Sequence, residues 1–195
     1  MKRPGNIFII SGPSGSGKTT LLQKLIASKE LQGKLIKSVS LTTRPRRPRE
    51  EEGEDYFFIS KAEFKKRLAA KKILEWTKYL GYYYATPKDF IERNLSTDTD
   101  VALCLDLKGA ATIKRLYPKN TVTLFVMPPS LATLKRRIAN RRCKTKREEI
   151  TQRMQLARRE LCATRRYDYC ILNKDLRLAL KELKDIVLSK IKHQT

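Results

Sequence analysis

Residues Gly12-Pro13-Ser14-Gly15-Ser16-Gly17-Lys18-Thr19 fit the pattern G-x-x-x-x-G-K-[ST] at every position. What flanks them gives the pattern its meaning. Asn6-Ile7-Phe8-Ile9-Ile10 is an apolar, largely β-branched run that reads as a buried strand, and Thr19 to Ile26 has helical spacing. A strand, a glycine-rich loop and a helix in that order form a phosphate cradle. The glycines let backbone N–H groups turn inward around phosphate oxygens, and the helix N-terminus adds partial positive charge. Lys18 is placed to neutralise outer phosphates, and the Thr19 hydroxyl to hold Mg²⁺. A turn that binds nothing would need both pattern and context by accident.

The remaining elements alternate as in an α/β protein. Strands are expected over residues 34–40, 56–59, 73–79, 82–85, 101–106, 121–126 and 169–172. Ser60-Lys61-Ala62-Glu63 is a capping box that opens a helix to about Ala70. Thr86-Pro87 reads as a cap followed by proline at the first helical position, leading a helix to about Leu95. Ser130 caps a further helix that becomes very basic by Arg141. Thr145-Lys146-Arg147-Glu148 is a second capping box, and its helix carries Ile150, Met154, Ala157 and Leu161 on one face. From Asp175 onward an amphipathic helix runs through Leu178, Leu183, Ile186 and Val187. The expected organisation is one domain with a core in residues 1–33, 94–128 and 164–195, interrupted by insertions at 34–93 and 129–163 that close on bound ligand.

Among 195 residues, 43 are Lys or Arg and 20 are Asp or Glu, a net charge of +23. Such an excess suits polyanionic substrates, which a positive field concentrates. It also raises nucleic acid as a partner, but an aromatic content of 8% argues against a single-strand stacking platform. No stretch is apolar enough to span a membrane and no secretory signal is read at the start, so a cytoplasmic protein is expected. Cys104, Cys143, Cys162 and Cys170 form no C-x-x-C pair, and the only histidine is His193, so reduced thiols are expected and zinc is not.

Several residues outside the loop have the chemistry of a phosphoryl-transfer site. Asp106 ends an apolar run downstream of the loop, where a carboxylate sits near Mg²⁺ directly or through water. Arg44-Pro45-Arg46-Arg47 offers guanidinium groups suited to bidentate phosphate binding. Tyr56 and Tyr84 carry phenols able to donate to a phosphate without adding charge. Glu75, within Ile73-Leu74-Glu75-Trp76, needs a partner if buried; a guanine edge has two adjacent N–H donors that a carboxylate accepts together, and adenine lacks that pair. Arg137 and Arg141 share one helical face, with Arg153 on the next helix; converging arginines stabilise charge that spreads during phosphoryl transfer. Spacing alone leaves plainer readings open: a solvent-facing Glu75, core tyrosines, a basic exposed turn and a solvated arginine face.

Taken together, these segments resemble guanylate kinases, the P-loop nucleoside monophosphate kinases that move a phosphoryl group from ATP to GMP. The resemblance runs from Gly12 to the final helix. It is carried by Ser38-Val39-Ser40-Leu41-Thr42-Thr43-Arg44-Pro45-Arg46-Arg47-Pro48, Asp55-Tyr56-Phe57-Phe58, Leu74-Glu75-Trp76, Gly81-Tyr82-Tyr83-Tyr84-Ala85-Thr86-Pro87, Leu105-Asp106-Leu107-Lys108-Gly109 and Pro128-Pro129-Ser130. The Arg44 stretch is specific to the family, whereas the phosphate loop is shared by many.

The resemblance implies an α/β fold: a P-loop NTPase core with a parallel sheet flanked by helices, a small mixed GMP-binding insertion (34–93) and a helical lid (129–163). It implies that ATP is held by Gly12 to Thr19 together with Thr20, with Asn173 near the adenine. GMP is held by Ser40, Glu75 and Thr86 at the base, by Arg44, Arg47, Tyr56 and Tyr84 at the phosphate, and by Asp106. Lys18, Arg44, Arg137, Arg141 and Arg153 act on the transferring group, and Mg²⁺ accompanies ATP on Thr19, with Asp106 through water. A monomer or weak homo-oligomer without membrane or nucleic-acid partners is expected. The chain departs from the pattern at Ala85, where glycine is frequent, at Cys104, where an acid is common, at Lys108, where glutamine is usual, and at Arg142-Cys143, where Gly-Thr is common.

Overall fold

The computed structural model describes residues 5–140 and 147–192. Its centre is β1 (Ile7–Ser11), buried along its whole length. Five strands make a parallel sheet in the order β2-β7-β1-β8-β9, where β2 is Leu35–Lys37, β7 Asp100–Cys104, β8 Thr121–Met127 and β9 Tyr169–Leu172. Because side chains alternate across a strand, Phe8 and Ile10 enter one apolar layer and Ile7 and Ile9 the other. The first layer is closed by α1 (Lys18–Ile26) and α7 (Leu176–Lys192) through Leu21, Leu22, Leu25, Leu183 and Val187. The second is closed by α3 (Lys88–Ser96) and α4 (Leu107–Leu116) through Ile91, Leu95 and Ile113. Burial on both faces explains why the central strands β1, β7 and β8 read as nearly continuous apolar runs.

A second sheet stands beside the C-terminal ends of the first. Its order is β4-β3-β6-β5, from Phe57–Phe58, Leu41–Thr42, Tyr82–Pro87 and Ile73–Tyr79. Helix α2 (Lys61–Ala69) covers it with Phe64, whose ring stacks on Tyr83 at 4.5 Å. The other face of β5 presents Glu75, Thr77 and Tyr79, at period two, toward the core. Helices α5 (Leu131–Ala139) and α6 (Arg147–Leu161) pack through Leu134, Ile138 and Ala157, with Ile150 and Met154 partly buried against them; Leu161 lies beyond that cluster.

The structure revises several expectations. The stretch 34–93 is not one unit: β2 pairs with β7 in the large sheet and α3 packs under it, so the second sheet takes only residues 41–87. Thr86 does not cap a helix. Strand β6 continues through it, Pro87 takes the cap position with no side-chain bond, and the Thr86 hydroxyl serves Glu75 instead. Asp106 lies past the end of β7 as the N-cap of α4, a helix not expected from the sequence, and accepts from Gly109 N at 2.8 Å. Leu178 is 69% exposed, and the buried stripe of α7 includes Ala179, Leu183 and Val187. The capping box at Thr145 lies outside the described residues. Among those described, no helix is long and apolar enough to cross a membrane, and Cys104, Cys162 and Cys170 are free.

Candidate active site

The loop from Gly12 to Gly17 leaves β1 at the C-terminal edge of the sheet, between neighbouring strands β7 and β8. Open parallel sheets form their ligand crevices at such a point. Two glycines there are required sterically. Gly12 has φ of 132°, and a Cβ on it would lie 2.3 Å from the Val126 carbonyl oxygen. Gly17 has φ of 101°, and a Cβ on it would lie 2.3 Å from Asn173 Nδ2. Lys18 folds over the loop, its Nζ donating to the Gly12 carbonyl and to the Pro13 carbonyl at 3.0 Å. Asn173 donates from Nδ2 to the Ser16 carbonyl at 2.7 Å, and Arg137 donates to the Asn173 carbonyl at 3.2 Å. Asn173 and Arg137 therefore brace the loop. Ser16 is fully buried and Pro13 contributes its carbonyl, so both shape the loop without lining a cavity.

Two cavities flank this loop. One, of about 450 Å³, lies over Gly15, Gly17 and Thr20 and is edged by Arg137 and Asn173. The other, of about 350 Å³, runs between the loop and the second sheet. Lys18 and Thr19 border both. Ligands in the two cavities would therefore meet at the lysine of the phosphate loop.

The far end of the second cavity holds a guanidinium clamp. Arg44, 8% exposed, donates from Nη2 to both oxygens of Glu50 at 2.8 and 3.0 Å and from Nε to the Tyr84 hydroxyl at 3.2 Å. Its guanidinium also lies over the Tyr56 ring at 5.5 Å. Glu50 accepts from Arg47 N at 2.9 Å as well. Burial would raise the Glu50 carboxyl, but the bonds from Arg44 and Arg47 hold it below its ordinary range. Burial pushes the Tyr56 phenol up to about 12, so it stays a hydrogen-bond donor.

Glu75 is 7% exposed, which settles the choice left open by its spacing. Thr86 Oγ1 donates to its Oε1 at 2.5 Å. The backbone of Gly109 passes so close that a Cβ there would lie 2.7 Å from Glu75 Oε2. Burial raises this carboxyl to about 7, with the Thr86 bond opposing and the Asp106 charge assisting. Ser40 and Asp106 line the same cavity, whereas Thr86 sits buried behind Glu75.

Arg153 on α6 is 5% exposed and reaches the loop, donating to Ser14 Oγ at 2.6 Å and to Glu149 Oε1 at 2.9 and 2.5 Å. Arg141, Arg142 and Cys143 lie outside the described residues. Sequence reasoning missed Glu50, Tyr79 and Glu160, which line the cavity too. Glu160 lies seven residues, two helical turns, beyond Arg153, and that spacing was the available signal. Its carboxyl is raised to about 7 by burial, with Lys18 opposing and Asp106 assisting. Cys104 adds a thiol that burial pushes up to about 11, so this part of the wall carries a neutral group.

The family model described as guanylate kinase matches residues 4–190. The chain belongs to the guanylate kinase family. It is 40% identical over 185 residues to the guanylate kinase of Thermotoga maritima, covering 95% of this chain and 87% of that one. It is 42% identical to that of Legionella pneumophila (strain Paris), covering 95% and 86%. The crystal structure of guanylate kinase from Anaplasma phagocytophilum superposes with a TM-score of 0.80 at 30% identity, over 97% of this chain and 87% of that one. Membership makes the chain a nucleoside monophosphate kinase, a transferase, and the neighbour shares its parallel sheet flanked by helices.

The oxygen donors suit the magnesium ion that nucleotide kinases use. Thr19, at the first turn of α1, and Asp106, at the cap of α4, line one cavity. Mg²⁺ is commonly held by one or two protein oxygens, substrate phosphates and retained waters. Among the described residues there is no cluster of three or more His, Cys, Asp or Glu side chains arranged to hold a metal by themselves.

Proposed function

We propose that this guanylate kinase transfers the γ-phosphoryl group of MgATP to GMP, giving ADP and GDP, through the residue roles below. The observation that carries the reading is the meeting of two cavities at Lys18 and Thr19, one rimmed by the glycine loop and the other by a buried carboxylate and an arginine clamp. ATP lies along Gly12 to Thr20 with its adenine toward Asn173. GMP lies in the opposite cavity. Glu75 accepts the two N–H donors of the guanine edge, Ser40 stands beside them, and Thr86 orients Glu75. Arg44, Arg47, Tyr56 and Tyr84 hold the phosphate.

The nucleophile is a phosphate oxygen of GMP, anionic at neutral pH, so no side chain need remove a proton. Catalysis is then positioning plus stabilisation of spreading charge. Lys18 leaves its loop carbonyls to reach the outer phosphates. Arg153 and Arg137 approach the transferring group from the two helices that pack over the loop, joined by Arg141. Thr19 and Asp106 are the residues that would hold Mg²⁺, and the bound ion would neutralise phosphate charge. Movement of the second sheet and of α5–α6 toward the loop excludes water. A cytoplasmic role in purine nucleotide metabolism, as a monomer or weak homo-oligomer, accompanies this reading.

A coupled assay of ADP release tests it, with GMP, dGMP, AMP and ribose phosphates as acceptors. GDP formed from GMP, with AMP and ribose phosphates inert, supports the assignment. Turnover on AMP equal to that on GMP, or no GDP at all, refutes it.

A further inference from the structure

Between the arginine clamp and the phosphate loop stands Tyr79, a residue to which nothing above gives a role. It ends β5 on the face that carries Glu75 and Thr77, and it lines the cavity. Thr77 pairs with Tyr84 and Tyr79 with Tyr82, so Tyr79 and Tyr84 are diagonal neighbours on one sheet face. Their rings meet edge to face, with centroids 6.4 Å apart at 76°. The Tyr79 ring also carries the Arg153 guanidinium, 5.7 Å from the centroid.

The orientation of Arg153 then has three determinants. Ser14 takes Nη1, Glu149 takes Nε and Nη2, and Tyr79 meets the guanidinium. Ser14 belongs to the phosphate loop and Glu149 to α6 itself, so Tyr79 is the contribution of the acceptor-side sheet. At the clamp, Tyr84 receives Arg44 Nε and meets the Tyr56 ring at 5.7 Å. A continuous set of contacts thus runs from Arg44 through Tyr84 and Tyr79 to Arg153 and Ser14. A guanidinium over an aromatic face is held in orientation as well as attracted, and more strongly when desolvated.

We propose that Tyr79 is a positioning residue that couples the two substrate sites: its ring holds Arg153 over the phosphate loop and rests on the tyrosine that closes the acceptor-phosphate clamp. Filling the clamp restrains Tyr84, Tyr84 restrains Tyr79, and Tyr79 restrains Arg153 toward the donor side. The proposal rests on the kinase reading above. Because binding coupling is reciprocal, donor-side occupancy tightens acceptor binding through the same contacts.

The test compares the full-length wild type with Tyr79→Leu, which keeps an apolar side chain without a ring, and Tyr79→Phe, which keeps the ring. GMP affinity is measured calorimetrically with and without saturating MgADP, alongside kcat and KM for GMP and a melting curve for each variant. Wild type and Tyr79→Phe are expected to bind GMP more tightly when MgADP is present. Tyr79→Leu is expected to lose most of the enhancement, read as the ratio of GMP affinities with and without MgADP, and to lose roughly tenfold in kcat, with KM for GMP at saturating MgATP rising by the factor the enhancement falls. An equal enhancement in wild type and Tyr79→Leu, or none in wild type, overturns the proposal. So does a fall in kcat that Tyr79→Phe shares. Absence of GDP formation by wild type would instead remove the underlying kinase reading.

Discussion

If Glu75 takes the guanine edge as proposed, it makes the binding of GMP dependent on pH. Burial raises its carboxyl from 4.5 to about 7, which disfavours the ionised form by ~3 kcal/mol relative to a solvated glutamate. The paired N–H donors of guanine need the ionised form, so binding must draw the proton off. With a carboxyl near 7, GMP binding releases roughly half a proton at pH 7, roughly nine-tenths at pH 6 and about a tenth at pH 8. The sign is fixed: affinity is full above the raised value and falls as pH drops through it, by about tenfold between pH 8 and pH 6. The phosphate of GMP titrates near pH 6 as well, so the control is Glu75→Gln, which keeps the side-chain shape and removes only the Glu75 proton. Its amide oxygen accepts one guanine donor while its NH₂ opposes the other, a loss of ~1.5–3 kcal/mol, or about 10- to 150-fold in affinity. Calorimetry at pH 6, 7 and 8 in two buffers of different ionisation enthalpy counts the protons. If wild type releases no more protons than Glu75→Gln, the carboxylate reading of Glu75 is wrong. Thr86→Val supplies a second handle: removing a bond that lowers the Glu75 pKa moves the affinity loss to higher pH.

Other perturbations bear on the loop, the core and the second raised carboxyl. Lys18→Ala should abolish GDP formation while far-UV circular dichroism stays that of wild type; substantial turnover would remove the lysine from the mechanism. Gly17→Ala should cost ATP binding far more than thermal stability, because a Cβ drives Asn173 off the loop in a backbone region that L-residues avoid; unchanged ATP affinity would count against that cradle. In chemical denaturation, Leu183→Ala should lose ~2–5 kcal/mol and Leu178→Ala under ~0.5 kcal/mol, since one is fully buried and the other 69% exposed. For Glu160 the folded value, about 7, lies above the ordinary 4.5 of an unfolded glutamate. Its protonated form therefore stabilises the fold at low pH, and that contribution is lost as pH rises from about 4.5 to about 7. Glu160→Gln should flatten the decline in melting temperature of the nucleotide-free protein over that window, and an identical profile would contradict the burial.

The large sheet was legible because its central strands are buried on both faces and its edge strands are short apolar runs. Tyr169–Leu172 was expected and found at the same residues, since an apolar run bounded by a polar turn has few other ways to fold. Helix α4 escaped because Asp106 read as a metal carboxylate and Gly109 weakened the helical pattern, whereas their pairing is an N-cap bond. Thr86-Pro87 has the composition of a helix start, but a buried carboxylate needs a donor, and that demand placed Thr86 in a strand facing Glu75. Leu178 failed on angle. It sits five residues before Leu183, about 140° around a helix, and so cannot share the stripe of Ala179, Leu183 and Val187.

The site was legible where a residue type carries its own chemistry and illegible where a residue matters for what it touches. Lys18, Arg44 and Glu75 announce themselves by motif, but the groups that orient them come from tertiary placement. Glu50 lies in an acidic run that reads as a solvated turn, yet it holds the Arg44 fork with two oxygens. Composition misleads here in an instructive way. A chain with a net charge of +23 invites the view that its anionic substrates are held by a positive surface. Along the acceptor cavity, however, Glu50, Asp55, Glu75, Asp106 and Glu160 stand among Lys18, Arg44, Arg47 and Arg153, so acids equal or exceed bases there. The basic excess lies mostly outside this cavity and acts on encounter, over distances that physiological salt screens within about 8 Å. Inside, the cations are aimed by carboxylates, hydroxyls and rings. Raising ionic strength should therefore slow GMP association more than it speeds dissociation; a salt effect carried wholly by dissociation would mean that the net charge, and not the aimed pairs, holds the substrate.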